Sequence, residues 1–148
     1  LIIKHYYCIY KLNTVQKVLL IAASLLGLMA VALGAFGAHS LKPYLDTYQL
    51  SIWEKGIQYQ FYHTISLFLC SIYLKRTDSK LIRNAGICFI IGVLCFSGSL
   101  YLLATAHLTG LPTIIAGPIT PIGGFFFLAG WGCILMQAFK GEPGEEEG

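Results

Sequence analysis

The sequence predicts an all-α membrane protein, an antiparallel bundle of four transmembrane helices, and three observations carry the prediction. Of 148 residues, 56% are hydrophobic and only 11% charged, where soluble domains run at roughly 25% charged; the mean hydropathy is +0.69. No Asp, Glu, Lys or Arg interrupts 18–38, 56–74 or 84–139, and about 20 apolar residues cross the roughly 30 Å of membrane hydrocarbon. The cations also fall unevenly. Lys4, Lys11, Lys17, Lys75, Arg76, Lys80, Arg83 and Lys140 come out on one side of such a bundle, and only Lys42 and Lys55 on the other. Because cytoplasmic loops retain Lys and Arg, both termini are expected in the cytoplasm.

The predicted helices are about 16–38, 56–74, 84–106 and 120–139, one membrane domain preceded by an N-terminal extension (1–15) and followed by an acidic tail (140–148). The extension opens "LIIKHYYCIYKL", fits a helical pattern poorly and is given no function. The first helix has a basic lead, but its apolar run exceeds the 7 to 15 residues of a secretory h-region, so a retained span is expected. Within it Ala23, Gly27, Ala30, Gly34 and Gly37 recur at steps of four, three, four and three, which places them on one face. Helices in lipid associate by close backbone approach at such small residues.

The second helix is the polar one, reading "QYQFYHTISL" over 58–67. Tyr59, His63 and Ser66 share one stripe, and Glu54, Gln58 and Tyr62 another. The third carries a small seam of Cys88, Gly92, Cys95 and Ser99; the fourth carries Gly123, Gly130 and Gln137. The latter is expected to follow a break at "TGLP" (109–112) and Gly117-Pro118, with Thr120 as N-cap and Pro121 at the first helical position. The seams suit a compact bundle and would equally suit a homo-oligomer. The tail "GEPGEEEG" cannot build a core and is expected to be a disordered, solubilising end.

Depth arguments gather the polar residues on the outer side. His63 lies seven residues beyond Gly56, about 10 Å along the axis, and Ser97 and Ser99 lie about 10 to 14 Å from the outer end of helix 3. His39 ends helix 1, Glu54 precedes helix 2 and Thr120 opens helix 4. A polar cluster of His39, Glu54, Gln58, Tyr59, His63, Ser97, Ser99 and Thr120 is therefore expected to face the bundle interior, where intramembrane polar groups find partners. It reads in two ways. One is a structural network in which His63 or Gln58 bonds Ser97, Ser99 or a freed carbonyl; the other is an outward vestibule that binds a small solute or relays protons through His63 to Glu54.

The stretches "GAFGAHSL" (34–41), "WEKGIQYQFYHTISL" (53–67), "FSGSLYLLA" (96–104) and "ITPIGG" (119–124), in this order and spacing, resemble domain-of-unknown-function family 423, the UPF0382 inner-membrane and transmembrane protein 256-like proteins. The resemblance runs from about Val15 to Phe139. It implies a four-span protein of the bacterial inner membrane, or alternatively the mitochondrial one, and carries no established activity.

Other function classes are disfavoured by the residues. No nucleophile elbow, phosphate loop, metalloprotease helix or dinucleotide fingerprint is present, so no enzyme and no cofactor are expected. His39, His63 and His107 fall on different helices without ligand spacing, so no metal is expected. Cys8, Cys70, Cys88, Cys95 and Cys133 form no C-x-x-C pair and read as packing residues. The net charge of +3 is a topology signal and shows no basic face for nucleic acid. The expected partners are the lipid bilayer, further copies of the chain, or another membrane protein. The leading function is a structural or accessory membrane component. The alternative is a small transporter or proton-linked solute binder built around His63.

Overall fold

The computed structural model describes residues 12–111 and 113–140. Helix α1 runs Thr14–Phe36 and continues through a π-helical turn, Gly37–Leu41; α2 is Thr47–Tyr73. Helix α3 is Lys80–Thr109, wound as α-helix except for a π-helical segment at Val93–Ser97; α4 is Thr113–Lys140. The start of the N-terminal extension and the acidic tail beyond Lys140 lie outside the described residues, as does Cys8.

Local chemistry explains why two helices begin earlier than the hydropathy pattern suggests. The segment "DTYQ" is a capping box: the Asp46 carboxylate accepts from the Gln49 backbone N–H at 2.7 Å, and the Gln49 side chain accepts from the Asp46 N–H at 2.9 Å. Two otherwise orphaned donors are satisfied, so α2 starts at Thr47 and not near residue 56. Asn13 and Gln16 cap α1 in the same way. At the other boundary the chain turns at Gly110, whose φ of 69° suits glycine at a helix C-terminus. Helix α4 then restarts at Thr113 and runs through Pro118 and Pro121. The expected break at Gly117-Pro118 and the N-cap role of Thr120 are thus corrected: Thr120 is interior to α4, in a helix of the kind where membrane proteins tolerate proline.

Contact registers show that neighbouring helices are antiparallel. Along α1 and α2 the pairs are Leu33 with Trp53, Leu26 with Gln60 and Gln16 with Ser71, one number falling as the other rises. Along α2 and α3 they are Gly56 with Tyr101, Tyr59 with Phe96 and His63 with Phe89. Along α3 and α4 they are Ser99 with Thr120, Gly92 with Phe127 and Ser79 with Gln137.

Helices α2 and α3 form the middle, with α1 against α2 and α4 against α3; among the described residues α1 and α4 make no extended contact. The four helices therefore form an open row and not a closed ring: α1 meets α3 lightly at Leu19 and Gly86, and α2 meets α4 through side-chain rings, Tyr59 and His63 against Phe127 and His63 against Trp131. The outer faces are apolar, with Leu28, Leu128, Ile114 and Phe139 all more than half exposed. Thr14–Leu41, Lys80–Thr109 and Ala116–Lys140 are long and apolar enough to cross a membrane. Helix α2 is as long, 27 residues or about 40 Å, but carries the polar residues.

The small seams are filled from within. A Cβ on Gly37 would come closer than 3.0 Å to Trp53, on Gly92 to Phe127, on Gly130 to Phe89, and on Gly123 to the backbone of Phe96. Ala23 and Ala30 are buried, and Gly27 and Gly34 face Thr64 and Ile57 of α2. Two further close approaches, Gly56 against Tyr101 and Gly86 against Leu19, fall outside the stripes seen in the sequence.

Candidate functional site

The buried face of α2 is carried by Trp53, Gly56, Gln60, His63, Leu67, Cys70 and Leu74, spaced alternately three and four, with Thr64, Ser66 and Ser71 buried beside them. This is the seam spacing of packed helices. It keeps the expected stripe of Tyr59, His63 and Ser66, with His63 and Ser66 buried and Tyr59 packed against the core, adds Gln60, and leaves the stripe of Glu54, Gln58 and Tyr62 exposed.

At its N-terminal end, the Trp53 indole N–H donates to the Leu33 carbonyl at 3.1 Å, in the slot left by Gly37. The indole packs on the Tyr101 ring at 4.7 Å. Two turns further along, Gln60, only 2% exposed, donates through Nε2 to the Leu26 carbonyl at 2.7 Å and accepts from the Tyr101 hydroxyl at 2.8 Å. A single amide thereby ties α1, α2 and α3 together. Sequence reading passed over Gln60 and Tyr101; the three-four spacing from Trp53 to Leu74 is the signal that identifies Gln60.

His63 lies deeper still, 16 residues from Thr47 and ten from Tyr73, so it sits near mid-helix and below the level of Ser97 and Ser99. Its imidazole is stacked on Phe127 with centroids 3.4 Å apart and planes 5° from parallel, with Tyr59 and Phe89 alongside. Nδ1 is 2.8 Å from the Tyr59 carbonyl, and Nε2 is 3.4 Å from Trp131 Nε1. A carbonyl only accepts and an indole N–H only donates. The ring is thus held as the neutral tautomer with hydrogen on Nδ1, both nitrogens engaged by protein.

Ser99 and Thr120 do meet, their hydroxyls 2.7 Å apart across α3 and α4, and Ser99 also donates to the Phe96 carbonyl at 2.9 Å. Ser97, 1% exposed within the π segment, and Thr64 have side-chain oxygens without a hydrogen-bond partner among the described residues. The expected bonds from His63 or Gln58 to Ser97 or Ser99 do not form: His63 lies level with Phe89 and so beyond both serines along the axis, and Gln58, though level with them, points away on the exposed face of α2. Removing the Ser99–Thr120 bond with Ser99→Ala is expected to cost about 0.6 kcal/mol, a small fall in the thermal midpoint of detergent-purified protein.

Glu54 and Gln58 lie on the opposite face of α2, exposed. Lys55 donates to Gln58 at 3.0 Å, and Gln58 donates to the Tyr62 hydroxyl at 2.8 Å. With Gly34, Ser51 and Ile57 they line an open hollow of about 490 Å³ between the ends of α1 and α2. His39 is exposed on the π turn, and His107 reaches the Tyr44 carbonyl at 3.0 Å. No group of three His, Cys, Asp or Glu able to hold a metal occurs among the described residues. The expected cluster is therefore three separate arrangements: a hollow between the end of α1 and the start of α2, the Ser99–Thr120 bond, and an aromatic sleeve around His63.

Comparison with known proteins places these arrangements in a wider set. The sequence model of a family described as "Protein of unknown function (DUF423)" matches residues 33–124, from the end of α1 to the Gly123 crossing. The chain is 40% identical over 125 residues to a UPF0382 membrane protein of Staphylococcus haemolyticus, covering 84% of this chain and 98% of that one. It is 37% identical over 126 residues to the UPF0382 membrane protein YwdK of Bacillus subtilis (84% and 98%). It is 35% identical over 125 residues to the UPF0382 inner membrane protein YgdD of Escherichia coli (84% and 92%). No solved structure matches.

Proposed function

The chain belongs to the DUF423 family of membrane proteins, and we propose that it is a structural or accessory component of a bacterial plasma or inner membrane, without enzymatic activity. It crosses four times with both termini in the cytoplasm. Helices α1 and α3 run in the same direction, so the chain between them must return, and α2 makes that return with its polar seam turned inward. Lys17, Lys75, Arg76, Lys80, Arg83 and Lys140 fall at one end of the row, the distribution of a cytoplasmic side.

The observation that carries the structural reading is the closure of His63: both nitrogens bond protein groups and the ring is stacked face to face. A proton relay through it must first break one of those bonds. Because the glycine seams are occupied within the chain, contact with another copy or another membrane protein falls to the apolar outer faces of α1 and α4.

His63→Phe is the discriminating change, since a phenyl ring keeps the stack on Phe127 and drops both hydrogen bonds. It is expected to cost about 1 kcal/mol of stability, seen as a modest fall in the thermal midpoint, and to leave the native mass of the gently extracted protein unaltered. A proton-linked flux in proteoliposomes that vanishes in folded His63→Phe protein would establish the transporter reading instead. A wild type that extracts reproducibly as a lone monomer contradicts an accessory role. The one feature that favours a solute binder is the outer hollow at Glu54, and solute binding lost in Glu54→Gln with His63→Phe unaffected is what that reading expects.

A further inference from the structure

The row of helices leaves a groove between α2 and α4, because both pack on α3 and their backbones stay apart. Its volume is about 240 Å³, and Leu69, Cys70 and Tyr73 form one wall, Trp131 and Ile134 the other, and Ile82 the floor. Two polar side chains also line it, and both are already engaged: Ser66 donates to the Tyr62 carbonyl at 3.0 Å, and Gln137 accepts from the Ser79 hydroxyl. Apart from the amide nitrogen of Gln137, the interior offers hydrocarbon. It opens between the exposed flanks Leu69 and Trp131, toward the lipid.

The lower end of the groove is basic. Arg76 follows Tyr73 by three residues, Lys80 precedes Ile82 by two, and Lys140 follows Gln137 by three, all exposed. The cations of three helices thus stand within about one turn of the lining. Arg83, by contrast, pairs with Asp78 at 3.7 Å.

We propose that this groove seats one acyl chain of an anionic phospholipid whose phosphate rests on Arg76, Lys80 and Lys140. A chain leaving bulk lipid for an apolar groove gains little hydrophobically, so charge must select the occupant, and basic sites at the cytoplasmic side of membrane helices select anionic headgroups. The proposal rests on the reading that this end faces the cytoplasmic leaflet, but its chemistry does not depend on which leaflet is present.

The test is native mass spectrometry of the full chain released from symmetric nanodiscs of equal phosphatidylglycerol and phosphatidylcholine. One phosphatidylglycerol is expected to stay bound per chain. Charge removal by Arg76→Gln, Lys80→Gln and Lys140→Gln together should lower the preference for it by roughly ten-fold or more. Ala138→Trp, which fills the groove from its exposed rim, should remove the bound lipid while the protein's lipid-free mass and thermal midpoint match those of the wild type. Equal retention of the two lipids, retention unaffected by Ala138→Trp, or a second copy of the chain in place of lipid would each overturn the proposal. Labelling Lys140→Cys in cells with an impermeant maleimide separates the two readings: labelling from outside overturns the topology while the nanodisc selectivity stands or falls by itself.

Discussion

Gly123→Ala is expected to destabilise the protein by about 2 kcal/mol or more, although it adds one methyl group and exchanges glycine for the best helix former. The Cβ would come within 3.0 Å of the Phe96 backbone, where the π segment of α3 presses against α4. A side chain can rotate out of a clash, but backbone inside a helix cannot. Overpacking of this kind costs about 1–3 kcal/mol and more where nothing can shift, against up to about 1 kcal/mol gained in helix propensity. The control is on the same helix: Gly132 has nothing within 4 Å of a built Cβ, so Gly132→Ala should leave the midpoint unchanged or raised. Thermal unfolding in one detergent compares them directly, and equal midpoints would show that the α3–α4 crossing is not the close approach described. Gly92→Ala should resemble Gly123→Ala for a related reason. The ring it strikes is that of Phe127, which His63 holds from the other side.

The all-α membrane fold was legible in the sequence because lipid imposes it: long charge-free segments admit few other structures. Helix starts were less legible. Hydropathy marks where lipid begins, whereas the capping box at Asp46 and Gln49 begins α2 nine residues before Gly56, and prolines that break soluble helices are carried through α4. The glycine seams of α1 and α4 were readable as periodic small residues, but Gly56 and Gly86 were not, since each is paired with one bulky partner on another helix. The polar site misled for a geometric reason. The stripe through Tyr59, His63 and Ser66 does face inward, but the stripe through Glu54, Gln58 and Tyr62 was as regular and lies exposed, and only the longer run from Trp53 to Leu74 distinguishes the buried face. The partners that close His63, Phe127 and Trp131, stand 64 and 68 residues away, a separation no local pattern encodes.

The second large effect is expected at Gln60, where one amide joins three helices. Gln60→Leu keeps the approximate volume but leaves the Tyr101 hydroxyl without its acceptor, while the Leu26 carbonyl keeps its place in the α1 hydrogen-bond ladder. Interhelical bonds in membranes average about 0.6 kcal/mol with extremes near 1.7, and a buried group left unsatisfied adds its desolvation cost; a loss of about 2 kcal/mol is therefore expected for two bonds removed together. Tyr101→Phe should cost less, because the Gln60 amide retains its bond to Leu26. The double variant should then be more stable than the sum of the two losses implies, since it removes donor and acceptor at once and orphans neither. Such non-additivity is the signature of a shared bond. If the two losses simply add, the Gln60–Tyr101 contact contributes nothing, and the register of α2 against α3 must rest instead on Gly56 beneath the Tyr101 ring.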